Sequence, residues 1–246
     1  MIESGALDVT IVIPAFNEAR RLPNTLTHLN QWIAGRTEAF DVIVVDDGST
    51  DSTSDLSVDY PTVHFESLPV NVGKGAAVRS GILLAKGELI LMMDADLATP
   101  MSEFDILFAE ISNGADVAIG SRPLRSSTLA VRQPILREIA GRVFNCIVQS
   151  VSGLPFKDTQ CGFKLWRSGP AKDCFARCKV DGFAFDVESL VVAKARGYTV
   201  VEVGVRWAHQ PGAAAFTSPS SYMRHAIRMI ADTILIRWNH KTTSRV

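Results

Sequence analysis

The sequence predicts an α/β fold in which helices cover a mainly parallel sheet. Two observations carry that reading. β-branched and apolar runs recur at residues 9–14, 40–45 and 89–93, and segments with helical apolar spacing lie between them. A third points towards function: two of those runs end in acidic pairs, Asp46-Asp47 and Asp94-Ala95-Asp96. The carboxyl edge of such a sheet is where α/β folds bind ligands.

The bulk composition narrows the class. At 246 residues and 47% hydrophobic content the chain can bury one large α/β core, and a formal net charge of -1 argues against wholesale nucleic-acid binding. Cys146, Cys161, Cys174 and Cys178 form no CxxC pair and stand near no histidine at zinc-ligand spacing, which suits reduced thiols in a cytoplasmic protein. No run reaches the roughly 18 to 20 apolar residues of a membrane span, and Met1 to Asp8 lacks the basic start and apolar core of an export signal. The protein is therefore expected to be neither exported nor spanning.

The first strand, Val9-Thr10-Ile11-Val12-Ile13-Pro14, is closed by proline, and Ala15-Phe16-Asn17-Glu18 forms the loop after it. A helix follows from Pro23 through Leu26, Leu29, Trp32 and Ile33, stopping at Gly35. The second strand ends in Asp46-Asp47-Gly48-Ser49-Thr50-Asp51, a turn with capping residues for a short helix. After a short strand at 63–66 comes Asn71-Val72-Gly73-Lys74-Gly75, which fits neither phosphate-loop fingerprint. Its two glycines and its lysine at a helix start nevertheless suit an anionic ligand. The strand at 89–93 then delivers Asp94 and Asp96. Two carboxylates so close repel each other unless a cation lies between them, and a divalent ion bridging a diphosphate meets that need; a solvated strand-end turn is the alternative. Pro100 opens a further helix, and a strand at 116–120 ends in Gly120-Ser121-Arg122.

Beyond Pro123 the alternating rhythm changes. Arg122, Arg125, Arg132, Arg137 and Arg142 crowd a stretch that is part loop and part helix, either as a solvated basic face or as a phosphate site. Asp158-Thr159-Gln160-Cys161-Gly162-Phe163-Lys164 leads into an alternating strand, and Phe185-Asp186-Val187-Glu188 opens a helix closed by Gly197. Asp186 and Glu188 either reach a cleft from that first turn or complement the helix dipole. A strand at 199–207 is expected to close the sheet. The last helix, from Tyr222 to Trp238, carries Met223, Ile227, Ile230, Ile234 and Trp238 on one stripe, with Arg224, His225, Arg228 and Asp232 opposite. Such a stripe with a basic flank fits peripheral contact with an anionic membrane, docking on the sheet, or a homodimer seam.

Taken together, these motifs resemble glycosyltransferase family 2 enzymes of the GT-A fold, and most closely the dolichyl-phosphate or polyprenyl-phosphate β-glucosyltransferases. The resemblance runs from about Val9 to Gly212. It rests on Ile13-Pro14-Ala15-Phe16-Asn17-Glu18, Val45-Asp46-Asp47-Gly48-Ser49-Thr50-Asp51, Gly73-Lys74-Gly75, Asp94-Ala95-Asp96, Gly120-Ser121-Arg122, the Asp158 to Lys164 stretch and Phe185-Asp186-Val187-Glu188. It implies a Rossmann-like nucleotide-diphospho-sugar transferase with a mixed, mainly parallel sheet. Residues 1–220 would form the catalytic domain, with a nucleotide-sugar half at 1–121 and an acceptor half at 122–220, and 221–246 a basic amphipathic helix.

By the same resemblance Pro14, Ala15, Phe16, Glu18, Asp46 and Asp47 would cradle the nucleoside of UDP-glucose. Lys74 and Ala95 would lie beside the donor, Asp94 and Asp96 would hold Mg²⁺ or Mn²⁺, and Arg122, Arg132 and Arg137 would meet the phosphate of a polyprenyl acceptor. The family's usual Gly-Ser-Lys after the last strand's tryptophan is replaced by Gly212-Ala213-Ala214-Ala215, and its frequent membrane segments are absent from this sequence.

The chemistry implied is inverting transfer at the cytoplasmic face of a membrane. A phosphate acceptor is already largely ionised at neutral pH and needs no strong base. A hydroxyl acceptor would need one, with Asp186 first and Glu188 second as candidates. The other readings are a GDP-mannose enzyme of the same family, a degenerate nucleotide-sugar-binding protein, and a nucleotidyltransferase.

Overall fold

The computed structural model describes residues 8–124, 129–131, 145–208 and 219–241. Strand β1 (Asp8–Ala15) is an interior strand of a seven-stranded sheet, buried along all but its first residue. Its uninterrupted apolar run, in place of an alternating one, follows from having both faces covered. Helix α1 (Leu22–Ile33) begins with Pro23 in its first turn and buries Leu22, Leu26 and Leu29, the i, i+4, i+7 stripe. Strand β2 (Ala39–Asp46) returns parallel to β1, and β3 (His64–Ser67) adds a parallel edge. Helix α2 (Lys74–Leu84) leads to β4 (Leu89–Met92), parallel to β1 on its other side. Helix α3 (Phe104–Ser112) follows a short 3-10 turn at Met101–Glu103 and precedes β5 (Val117–Ser121).

In the second half, β6 (Leu129–Val131) leaves the main sheet, and residues 145–152 form helix α4. Strand β7 (Lys164–Arg167) inserts antiparallel between β4 and β5, making the sheet mixed. Helix α5 (Ser168–Phe175) follows at once and has no counterpart in the sequence reading, because Ser168-Gly169-Pro170 resembles a turn. Helix α6 (Phe185–Ala195) ends before Gly197, whose φ of 80° supplies the left-handed turn expected there. Strand β8 (Val200–Gly204) pairs parallel with β5, and the order across the sheet is β3-β2-β1-β4-β7-β5-β8.

The single strand expected at 199–207 is instead two. Arg206 donates its backbone N–H and its guanidinium to the buried Glu103 carboxylate, with a further bond to Ser102 at 2.7 Å. That anchor draws the chain off the sheet, so β9 (Trp207–Ala208) pairs with β6 in a separate two-stranded ribbon. The last helix, α7 (Pro219–Lys241), also departs from expectation. It packs on α6 through Met229, Thr233 and Ile236, while Met223, Ile227 and Ile234 of the predicted stripe are half exposed or more and Trp238 is 75% exposed. Docking of that stripe on the sheet is thereby overturned. No helix among the described residues is long and apolar enough to cross a membrane.

The two faces of the sheet hold separate cores. Leu22, Leu26 and Leu29 with Phe104 and Leu107 cover Ile11, Ile13, Val44 and Leu91 on one face. Ala77, Ile82, Phe175, Phe185 and Leu190 cover Val12, Val45, Met92 and Trp166 on the other. This burial holds the carboxyl ends of β1, β2 and β4 in one plane, and the candidate site lies along them.

Candidate active site

The loops after β1 and β2 are stapled together. Asn17, at a φ of 55° that asparagine tolerates, accepts the Thr50 N–H at 2.8 Å and donates its own N–H to the Ser49 hydroxyl at 2.8 Å. The Glu18 N–H reaches the Thr53 hydroxyl at 2.8 Å. Asp46 accepts from the Ser49 N–H and hydroxyl, so it shapes the turn; it is buried and is not among the residues that line the cleft. Asp47 does line the cleft and accepts the N–H groups of Val72 and Gly73, each at 2.9 Å, fixing the approach to α2.

The Gly73-Lys74-Gly75 motif divides its labour differently from the sequence reading. A Cβ on either glycine would collide with the backbone of residues 180–182, and Gly75 N–H donates to Asp181 O at 2.7 Å. The glycines therefore serve close packing against residues 180–182, and of the three the lysine brings the charge to the cleft, which Gly73 also lines. Its ammonium sits 2.6 Å from Asp94 Oδ1. Burial works against the lysine's charge, but Asp94 and then Asp186 outweigh it and hold Lys74 above the ordinary lysine value. Burial likewise opposes the charge on Asp94, and Lys74 overcomes it, keeping that carboxyl below its usual range. Asp96 moves the other way: burial and the neighbouring Asp94 charge raise it, against an N–H from Ala98 at 3.0 Å.

A cleft of about 400 Å³ opens over these residues, walled by Pro14, Ala15 and Phe16 after β1, Lys74 on α2, and Asp94, Ala95 and Asp96 after β4. A smaller pocket of about 80 Å³ lies beyond the same acidic pair, lined by Thr99, Arg122, Gln160 and Trp207. Asp94 and Asp96 border both. A Cβ on Gly162 would strike the Asp94 carboxylate, so the backbone of 162 forms the surface against which that side chain rests.

Arg122 lines the smaller pocket, held by the buried Asp158 through Nε at 2.6 Å and a second guanidinium nitrogen at 2.8 Å, and lying 5.7 Å over the Trp207 ring. Arg132, Arg137 and the Ala213-Ala214-Ala215 stretch lie outside the described residues.

Asp186 and Glu188 do not project into the cleft. Asp186 is buried against Lys164, whose ammonium also donates to Cys161 O at 2.7 Å. Glu188 accepts the Lys179 and Val180 N–H groups at 2.9 and 2.7 Å and meets His240 of α7 at 3.2 Å. Both are hydrogen-bonded within the fold, and neither is among the residues that line the cleft. Arg21, Phe183 and His225 are among the cleft residues that sequence reasoning missed. Arg21 had a local signal in its i, i+3 spacing from Glu18. Phe183 and His225, whose rings meet at 5.5 Å, come from distant segments and had none.

Residues 10–175 match the family described as Glycosyl transferase family 2. The chain belongs to glycosyltransferase family 2. Among its relatives, a dolichyl-phosphate beta-glucosyltransferase of Trichomonas vaginalis is 33% identical over 94% of this chain and 74% of its own length. The human protein of that name is 32% identical over 85% and 70%. Among solved structures, glucosyl-3-phosphoglycerate synthase from Mycobacterium tuberculosis, in complex with Mn²⁺, uridine-diphosphate-glucose and phosphoglyceric acid, superposes with a TM-score of 0.69 at 18% identity, covering 94% of this chain and 79% of that one. Mannosyl-3-phosphoglycerate synthase from Rubrobacter xylanophilus gives 0.65 at 18% identity over 92% and 73%. These likenesses show the fold.

The donor set of this family 2 site also fits a divalent cation of one kind. No three His, Cys, Asp or Glu side chains converge on a metal position among the described residues. Two carboxylates with free lone pairs suit a hard cation that draws its other ligands from phosphate and water, rather than one caged by protein.

Proposed function

We propose that this chain is an inverting glycosyltransferase that moves glucose from UDP-glucose to a polyprenyl phosphate of the dolichyl type, using Mg²⁺ or Mn²⁺. The observation that carries the reading is the position of Asp94 and Asp96 on the boundary between two pockets, one facing Lys74 and the other Arg122. The names of the relatives support glucose and dolichyl phosphate.

Pro14, Ala15, Phe16, Glu18 and Asp47 hold the nucleoside, with Asp46 bracing the loop behind them. Lys74 meets the diphosphate, and Ala95 leaves room for it. Asp94 and Asp96 would hold the cation, which supplies charge neutralisation for the departing diphosphate. Arg122 orients the acceptor phosphate in the smaller pocket, aided by Arg132 and Arg137. Because Asp186 and Glu188 are engaged elsewhere, the site suits an acceptor that arrives ionised, favouring a phosphate over a sugar hydroxyl. Residues 1–121 serve the donor, 122–220 the acceptor, and 221–246 the membrane.

For α7 we propose peripheral contact with the cytoplasmic face of an anionic membrane. Its exposed Met223, Ile227, Ile234, Leu235 and Trp238 are flanked by exposed Arg224 and Arg228, and four free thiols suit a reducing compartment. Co-sedimentation with anionic vesicles should be lost in Ile227→Asp/Trp238→Asp; retained binding rejects the contact, and loss of a dimer in solution would assign the stripe to self-association.

The function is tested by a donor screen against a short polyprenyl phosphate with Mg²⁺ and with Mn²⁺. UDP release and a glucosylated lipid are expected from UDP-glucose. GDP release from GDP-mannose alone, transfer only to hydroxyl acceptors, or tight UDP-glucose binding without transfer would each replace the reading.

A further inference from the structure

Arg21 stands just before α1, where Glu18 and the chain around it fix its pose. The Arg21 and Leu22 N–H groups both donate to Glu18 O at 2.9 Å, and the Glu18 carboxylate receives Arg21 Nε at 2.7 Å and a second guanidinium nitrogen on its other oxygen. A guanidinium carries five N–H donors, and this fork uses those on one side only. The remaining nitrogen, Nη1, is sealed from solvent and has no hydrogen-bond acceptor among the described residues. It lies 3.7 Å from Asp96 Oδ2, beyond hydrogen-bond reach but well within ion-pair range. Arg21 also lines the larger cleft.

The consequence is a symmetry in the charges. Each member of the acidic pair faces its own protein cation, Asp94 with Lys74 at 2.6 Å and Asp96 with Arg21 at 3.7 Å. We infer that Arg21 is a donor-positioning residue: it balances Asp96 until a divalent ion takes that place, and as Asp96 turns to the ion and uncovers the guanidinium, the N–H groups not spent on Glu18 donate to a phosphate oxygen of the nucleotide. Arginine's planar fork suits that oxygen, and its bond to Glu18 orients the fork in advance. The inference rests on the donor reading of the larger cleft.

Calorimetry on the full chain tests it, with UDP alone in chelator, Mn²⁺ alone, and the two together. Arg21→Met is expected to weaken UDP binding in chelator about tenfold or more. It should also tighten Mn²⁺ alone about fivefold, because a competing charge near Asp96 is gone. Arg21→Lys, which keeps the charge, should leave Mn²⁺ affinity near that of the wild type. Arg36→Met is the folding comparison: Arg36 is bound as closely, to Glu38 and Asp105, at the other end of α1 and away from the cleft. It should change neither affinity.

Unchanged UDP binding in Arg21→Met, a joint loss of both affinities, or the same losses in Arg36→Met would overturn the inference while leaving the donor reading intact. Failure of the wild type to bind UDP either in chelator or with Mn²⁺ would overturn both.

Discussion

Asp94 and Asp96 share with Asp186 and Glu188 the same spacing, two acids with one residue between, yet the two pairs do opposite work. After β4 the chain leaves the sheet through Leu97, held at a φ of 53°, and both acids of the first pair border the same two pockets. On α6 the second pair occupies positions i and i+2, which point to different sides of a helix. Asp186 therefore turns to Lys164 beneath the site, and Glu188 turns to the 179–180 backbone and to His240. An interval of two residues brings carboxylates together only where the backbone is extended or looped.

The contrast can be broken most directly by removing the acids one at a time. Asp94→Ala or Asp96→Ala should lower kcat/KM for UDP-glucose transfer by about a thousandfold or more while the melting temperature stays within a few degrees. Measurable metal-independent turnover in either variant would dissolve the distinction. Asp186→Ala should do the reverse and show first in urea unfolding. Stranding the fully buried Lys164 ammonium costs on the order of 3–5 kcal/mol, and the Lys164→Met/Asp186→Leu double variant should recover much of it.

A smaller loss, about 1–3 kcal/mol, is expected for Glu188→Ala, which leaves two backbone N–H groups without their acceptor. Hydrogen exchange should rise in α7 in that variant, through the lost His240 contact. The subtlest effect is one of pH. Burial disfavours the charge of Asp158, but the Arg122 guanidinium more than offsets it and holds the carboxyl below the ordinary aspartate value of 3.8. A depressed folded-state value stabilises above pH 3.8 and is lost as pH falls below that through the folded value. Unfolding free energy should then decline in acid by up to about 1.4 kcal/mol per pH unit from this group, and the slope should flatten in Asp158→Asn.

What could be read from the sequence was what local rules decide. The Val9 to Pro14 run, the Pro23 helix start and the acids at two strand ends each depend on neighbours within a few residues, and each stands where expected. Asp46 and Asp47 show the limit: adjacent residues on one turn, one spent on Ser49 and the other on the approach to α2. The roles of Gly73 and Gly75 are set by a segment over a hundred positions away, invisible to any short window. The same holds for α7. Its apolar residues lie on more than one side, and only the position of α6 decides that Met229 and Ile236 go inward while Ile227 and Trp238 remain outside.

The antiparallel insertion of β7 between β4 and β5 has a consequence for the timing of synthesis. A chain that has emerged from the ribosome only as far as Ser121 already contains both pocket-bordering aspartates, but β4, paired only with β1, then has one open edge, and β5 has no neighbour joining it to β1 and β2. Closure of the sheet waits for residues 164–167, and with them comes Gly162, the surface on which Asp94 rests. Until residues 162–167 are placed, neither the open side of β4 nor the Asp94 carboxylate has its neighbour.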